Sequence, residues 1–285
     1  MKLTDFWKDN NFVINANTVE QFNKWFEKDV KNTRYSTDET ILQKCVPEYI
    51  HKNSSFEDIY TVVTLINSFY STRMGADDCY ALSKILHENH AKILKAIHQI
   101  QPNIELVQNI INTQQELKQQ DKEIKRVAFS FTTKYFSILS RFYDYKDSNI
   151  READKDLYPI YDSVVVKVLD YYFYIKTNKK SHVSSCKSNK DKKGYEGYVE
   201  IINRLKPTLC TYKHLDNYLW KIGSLISKEI QKQLNPESQK KRKGVEDNTE
   251  PKKQNEPSWF VLGKYNISLD ELMKKIFDDK GGFNV

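Results

Sequence analysis

The chain has 285 residues and carries 45 Lys+Arg against 38 Asp+Glu, a formal charge of +7, which leaves room for one large domain or two small ones. The basic balance suits a nucleic-acid partner, and equally suits solvated helix faces on a Lys-rich protein. Only eight glycines and seven prolines occur, with no glycine between Gly75 and Gly194, so Gly-rich hairpin sheets are excluded and an all-α fold with short connections is expected.

Four scattered cysteines (Cys45, Cys79, Cys186, Cys210) show no metal-like spacing. There is no N-terminal apolar signal and no apolar span long enough for a membrane, so a reducing, cytoplasmic setting without a membrane partner is expected. No cofactor, metal or iron–sulfur cluster is implied. Oligomeric state is not legible.

Residues 1–55 read as an N-terminal helical extension. Val19, Phe22, Trp25 and Phe26 recur at helical spacing and predict one amphipathic helix. Thr37-Asp38-Glu39-Thr40 predicts the start of a second, which Pro47 ends or bends. A helical core is expected over 56–234. Ser54 or Ser55 caps its first helix, whose apolar face is Ile59, Val62, Val63, Ile66, Phe69 and Tyr70, with Gly75 marking the break. Residues 76–100 predict one further helix. His87 and His90 share a face there, but no third ligand or His-Glu-x-x-His pattern accompanies them, so both read as surface histidines.

Pro102 separates a helix over 103–117, and residues 114–126 are strongly polar. Phe129 to Phe136 is an apolar, aromatic helical run. A charged stretch, Arg141 to Asp156, reads as a flexible loop suited to substrate selection. In Leu157-Tyr158-Pro159-Ile160-Tyr161-Asp162-Ser163, Pro159 disfavours helical geometry at Tyr158, so the next helix starts at or just after Tyr161. Asp162 then falls at the N-cap or first turn, its carboxylate facing free backbone N–H groups; capping alone would explain it.

Residues 176–194 form a basic, Ser-rich loop, suited to a phosphate backbone or simply to solvent. Residues 195–230 return to helix, with Trp220 expected in the core. Residues 235–257 read as a flexible linker, whose Lys240-Lys241-Arg242-Lys243 run is of the kind that basic linkers produce by chance. Residues 258–285 read as a docking tail with an extended segment and a short capped helix.

Three runs carry a resemblance: Phe129-Ser-Phe-x-x-Lys134-Tyr135, Tyr158-Pro-Ile-Tyr-Asp162-Ser163, and Leu215-Asp-x-Tyr-Leu-Trp-x-x-Gly223. Together, over roughly residues 56–230, the chain resembles the helix-hairpin-helix (endonuclease III-like) DNA glycosylases, and more closely their divergent bacterial members, some linked to phage defence. The resemblance implies a helix-hairpin-helix glycosylase-like fold and a DNA N-glycosylase that flips a damaged or modified base out of duplex DNA and excises it. Asp162 takes the place of the catalytic aspartate. Tyr135, Tyr158 and Tyr161 would sandwich the base, and Phe69, Tyr70 and Arg73 stand where pocket or wedge residues sit, although aromatics at helical spacing also serve as core.

The chain departs from the family twice. No Leu-Pro-Gly-Val-Gly hairpin can be built from residues 114–130, which lack glycine, so Lys122, Lys125 and Arg126 are expected to contact the DNA backbone. The position of the Schiff-base lysine falls near Ser130, with Lys134 one helical turn on, as a polar or phosphate contact or a snorkelling surface lysine. A monofunctional enzyme that activates water is therefore the expectation. Its alternative is a non-catalytic nucleic-acid-binding or defence-complex module, and the plainest reading is a helical interaction protein.

Overall fold

A computed structural model describes residues 14–70, 72–120, 124–145, 151–177, 183, 186, 194–208 and 210–234. Among the described residues there are eleven helices and no strand, so the fold is all-α. They are α1 (Ala16–Asp29), α2 (Arg34–Tyr49), α3 (Phe56–Phe69), α4 (Ala76–Glu88), α5 (His90–His98), α6 (Ile104–Gln119), α7 (Phe129–Phe142), α8 (Glu152–Lys155), α9 (Ser163–Thr177), α10 (Gly194–Leu205) and α11 (Tyr212–Leu234).

Local chemistry accounts for the helix starts. The Asn15 side chain accepts from Thr18 N at 2.8 Å and starts α1. Ser55 and Asp58 form a reciprocal capping box on α3, which satisfies two otherwise orphaned N–H donors. Phe129 to Phe142 mixes aromatic and aliphatic side chains with small Ser and Thr, and α7 is buried from Phe131 to Ser140, its hydroxyls largely bonded to backbone carbonyls one turn back. It is the central rod, contacted by α2, α3, α6 and α8. Helix α11 packs on both α9 and α1.

The described part of the N-terminal stretch, residues 14–55, shares its buried side chains with the helices that follow. Val19, Phe22, Leu42 and Val46 belong to the same buried cluster as Phe136, Leu169 and Tyr218. Helix α2 also begins a turn earlier than expected, because Thr33 rather than Thr37 is its cap position. Pro47 lies inside α2, in its last turn, where only one further intrahelical bond is lost.

Three further expectations are corrected. Residues 76–100 form two helices, joined at Asn89, whose side chain donates back to Ile85 O at 2.8 Å and ends α4. His90 is buried, its Nε2 on His51 O at 2.7 Å, because the new axis of α5 turns it inward. Trp220 is 42% exposed; Leu215, Tyr218, Leu219 and Ile222 take the buried face of α11 instead. The expected linker at 235–257 and tail at 258–285 lie outside the described residues, as do all lysines of the basic loop over 178–193. No helix of the described residues is long and apolar enough to cross a membrane.

Candidate functional site

The segment 157–161 is non-helical yet buried, so its backbone polar groups need partners. Tyrosine hydroxyls supply them. Tyr195 donates to Pro159 O and Tyr198 to Ile160 O, both at 2.7 Å from α10. Tyr161 N donates to Thr133 Oγ1 of α7 at 3.0 Å. The segment is thereby fixed across α7, and it delivers Asp162 to the start of α9.

Asp162 is the N-cap of that helix. Its carbonyl accepts from Val166 N at 2.9 Å, and its Oδ1 accepts from Val164 N at 2.8 Å. The second carboxylate oxygen remains for other work, and Lys134 Nζ donates to it at 3.1 Å. Both side chains are mostly shielded from water, at 11% and 15% exposure. Lys134 is therefore no snorkelling surface lysine; α7 is wrapped by neighbours on the side from which it projects.

Around this pair lies a set of charged groups that the sequence did not bring together. Lys134 Nζ sits 5.8 Å from the Tyr70 ring centre, and Lys213 Nζ of α11 sits at the same distance from it. The Tyr70 hydroxyl donates a short hydrogen bond to Glu39. Glu39 in turn pairs with Lys213 at 3.4 Å and with Arg141 at 3.3 Å. Burial by itself would raise the Glu39 carboxyl, but the Lys213 and Arg141 charges and the Tyr70 hydroxyl hold it at about 2. Burial pushes the Tyr70 phenol well above its ordinary range, so the hydroxyl stays a donor.

The start of α11 is held by a second carboxylate. Asp156 Oδ2 accepts from Lys213 N at 2.6 Å, while Thr211 Oγ1 accepts from His214 N at 3.0 Å. An anion at a helix N-terminus is stabilised by the free N–H groups and the dipole. Arg141 and Asp156, the two ends of the supposed flexible loop, are thus anchors of the charged cluster. Burial raises the Asp156 carboxyl despite the opposing Arg141 charge.

The expected site residues separate into three groups. Asp162, Lys134 and Tyr70 come together as described. Tyr135 and Tyr158 are fully buried: Tyr135 packs edge-on to Phe136, and the Tyr158 hydroxyl accepts from Asn103 N at 3.0 Å. Tyr161 rests against Phe129 and Tyr198. These three tyrosines build the core beneath the pair. Phe69 packs against that core, and Arg73 stands exposed at the tip of a turn, with φ of 56°. Asn67 organises that turn, bonding Thr72, Met74 N and Met74 O.

Of the residues expected on the DNA backbone, Lys125 and Arg126 stand beside Asp77 and Asp78 in the first turn of α4. Lys125 and Arg126 are exposed, and Lys125 pairs with Asp77 at 3.1 Å. Their backbone N–H groups both donate to Asp78 Oδ1, at 2.8 and 3.3 Å. A carboxylate thus occupies the amides nearest the expected phosphate position. Lys122 lies outside the described residues. Among the described residues no cluster of three or more His, Cys, Asp or Glu has the arrangement of a metal site.

Sequence reasoning missed Glu39, Arg141, Asp156, Lys213 and Asp216. Asp216 alone carried a signal, its place in the Leu215-to-Gly223 run. The family model HI_0787_N, described as an N-terminal domain, matches residues 17–143. No curated protein and no solved structure matches the chain. The matched stretch supplies Tyr35, Glu39, Tyr70, Lys134 and Arg141, whereas Asp156, Asp162, Lys213 and Asp216 come from the residues after it.

Proposed function

We propose that the Lys134–Asp162 pair is the reacting centre of a DNA N-glycosylase that acts on a flipped, damaged or modified base. The observation that carries this reading is a carboxylate fixed twice, by a helix N-cap bond at 2.8 Å and by a shielded lysine at 3.1 Å. N-glycosidic cleavage requires little else from side chains. As the C1′–N bond breaks, positive charge grows on the sugar, and a fixed carboxylate stabilises it. The same group orients or deprotonates the attacking water. The Lys134 ammonium holds the carboxylate in place. The Tyr70 ring beside it offers a face for an extruded base. The resemblance to bacterial defence relatives makes phage-modified bases a natural part of the substrate panel.

The test is release of base from duplexes carrying single oxidised, alkylated or otherwise modified bases, read as alkali-labile abasic sites. Wild-type protein should produce them, and Asp162→Asn should not. Borohydride in the same reaction distinguishes the two ways of using Lys134: a covalent adduct marks its amine as the nucleophile, and its absence leaves water in that role.

A second reading has its own observation. Asp78 occupies the Lys125 and Arg126 amides that a phosphate would otherwise use, which favours a helical module that does no chemistry on DNA. Salt-dependent duplex binding without abasic product would support that reading.

A further inference from the structure

The buried segment before Asp162 lies along one stripe of α7. Phe129, Thr133 and Phe136 recur at helical spacing, so their side chains share a face. Tyr161 rests on Phe129 with ring centres 4.5 Å apart, and Tyr158 on Phe136 at 5.2 Å. The segment therefore runs antiparallel to the helix. Seven helical residues advance about 10 Å, and three residues of non-helical chain reach that far only when nearly extended. Pro159 keeps Tyr158 in that extended range.

Thr133 sits between the two phenylalanines and is the polar member of the stripe. It is fully buried. Its hydroxyl hydrogen is committed to its own helix, donated to Ser130 O at 3.0 Å, which leaves the oxygen to accept. Tyr161 N donates to that oxygen at 3.0 Å. A buried backbone N–H needs such a partner. The carbonyls of Pro159 and Ile160 are met by Tyr195 and Tyr198, so those bonds hold the segment to α10. The Thr133 bond holds it to the helix that carries Lys134. Asp162 follows Tyr161 and Lys134 follows Thr133, so both ends of the 3.1 Å ion pair are one residue from this bond.

We propose that Thr133 is a positioning residue for base release, an inference that rests on the glycosylase reading above. Its hydroxyl fixes where the segment lies on α7 and thereby seats the Asp162 carboxylate against Lys134. Thr133 is buried and acts through Asp162. A displacement of about 1 Å at a reacting group can cost on the order of 100-fold in rate. Valine keeps the shape and χ1 stiffness of threonine but accepts nothing. In Thr133→Val the Tyr161 N–H is therefore orphaned, or the segment shifts to find another partner.

The experiment compares Thr133→Val and Thr133→Ser with Thr132→Val as the control. Thr132 is equally buried on α7, and its hydroxyl donates to Ala128 O at 3.0 Å and accepts from Gln114 Nε2 at 2.9 Å, tying α7 to α6 instead. Both valine variants should melt at lower temperature and bind duplex as wild type does. On a duplex from which wild type releases base, single-turnover release should fall on the order of 100-fold in Thr133→Val, stay at the wild-type rate in Thr132→Val, and largely recover in Thr133→Ser. A second readout needs no turnover. The coupling between Lys134 and Asp162, measured by denaturation of Lys134→Met, Asp162→Asn and the double variant, should persist in the Thr132→Val background and be lost in Thr133→Val. Thr133→Cys offers a weaker acceptor; it should fall between serine and valine on both readouts, and it serves where Thr133→Val fails to fold. Equal rate loss in the two valine variants, or full coupling in Thr133→Val or Thr133→Cys, would overturn the positioning role. No base release by wild type from any duplex would end the glycosylase reading and with it the role in base release, while the coupling measurement would still decide whether Thr133 seats the pair.

Discussion

Lys134 Nζ lies 3.1 Å from Asp162 Oδ2, although 28 residues separate them and each belongs to a different helix. The distance follows from Thr133, the residue before Lys134, whose hydroxyl accepts from Tyr161 N, the residue before Asp162. One backbone anchor therefore sets the register of the pair. Asp162→Asn should leave the fold intact, since Asn caps about as well as Asp. DNA affinity should be unchanged or tighter, and base release should drop on the order of a hundredfold or more. Wild-type base release by Asp162→Asn would remove the residue from the chemistry; loss of the thermal transition would make it structural.

Lys134→Met keeps the stem and removes the charge. It leaves Asp162 shielded without its partner, and breaking such a pair from one side costs about 3–5 kcal/mol. Chemical denaturation should show a lowered midpoint with unchanged slope, and the double variant Lys134→Met/Asp162→Asn should recover part of the loss. A lowered midpoint with no recovery would mean that packing, not charge, is what Lys134 contributes.

Glu39 and Asp216 pull stability in opposite directions with pH. The Glu39 carboxyl is held at about 2 against an ordinary 4.5. Its contribution is therefore complete above the ordinary value and is lost as pH falls between them, on the order of 3 kcal/mol in all. Asp216 titrates at about 7 against an ordinary 3.8, so the folded state holds the extra proton and stability declines as pH rises across that window. Asp216→Asn should consequently be more stable than wild type above neutrality, by about 1–3 kcal/mol. Glu39→Gln should be less stable than wild type at neutral pH and converge on it in acid. Denaturant midpoints across pH check both slopes.

Gly223→Ala places a methyl group where Val164 and Val168 already stand. Valine is stiff at χ1, and the Val164 carbonyl oxygen stands 3.2 Å from the same point, so the added methyl presses α11 away from α9. Overpacking of this kind costs about 1–3 kcal/mol. A lowered melting temperature is expected, with base release reduced more than DNA affinity, because Val164 belongs to the first turn of α9 that Asp162 caps. An unchanged melting temperature would show that the two helices are not tightly apposed.

Lys125 and Arg126 are exposed and supply charge rather than backbone donors. Replacing both with Gln, or neutralising the lysines of the 179–193 loop, should weaken duplex binding across all sequences and flatten its salt dependence. Affinity and salt slope that both stay at wild-type values would place the DNA track on another face.

Patterning local to the chain determined the helical class, the cap position of Asp162, and the apolar faces of α1 and α3. These follow from periodicity, proline geometry and capping chemistry, which act over a few residues. The break at Asn89 and the burial of His90 were not legible, because a side-chain bond to Ile85 O and a distant carbonyl decided them. The tertiary structure alone decided the function of the aromatic-rich centre. Tyr135, Tyr158 and Tyr161 have the same composition whether they line a pocket or fill a core, and only their neighbours show that they fill the core. It alone also joined Glu39, Arg141 and Lys213 to the Lys134–Asp162 pair. Glu39, Arg141 and the first turn of α11 are far apart in sequence, with no spacing that links them. Their meeting depends on packing between elements: Glu39 on α2 meets Arg141 on α7, and Lys213 reaches Glu39 from the start of α11.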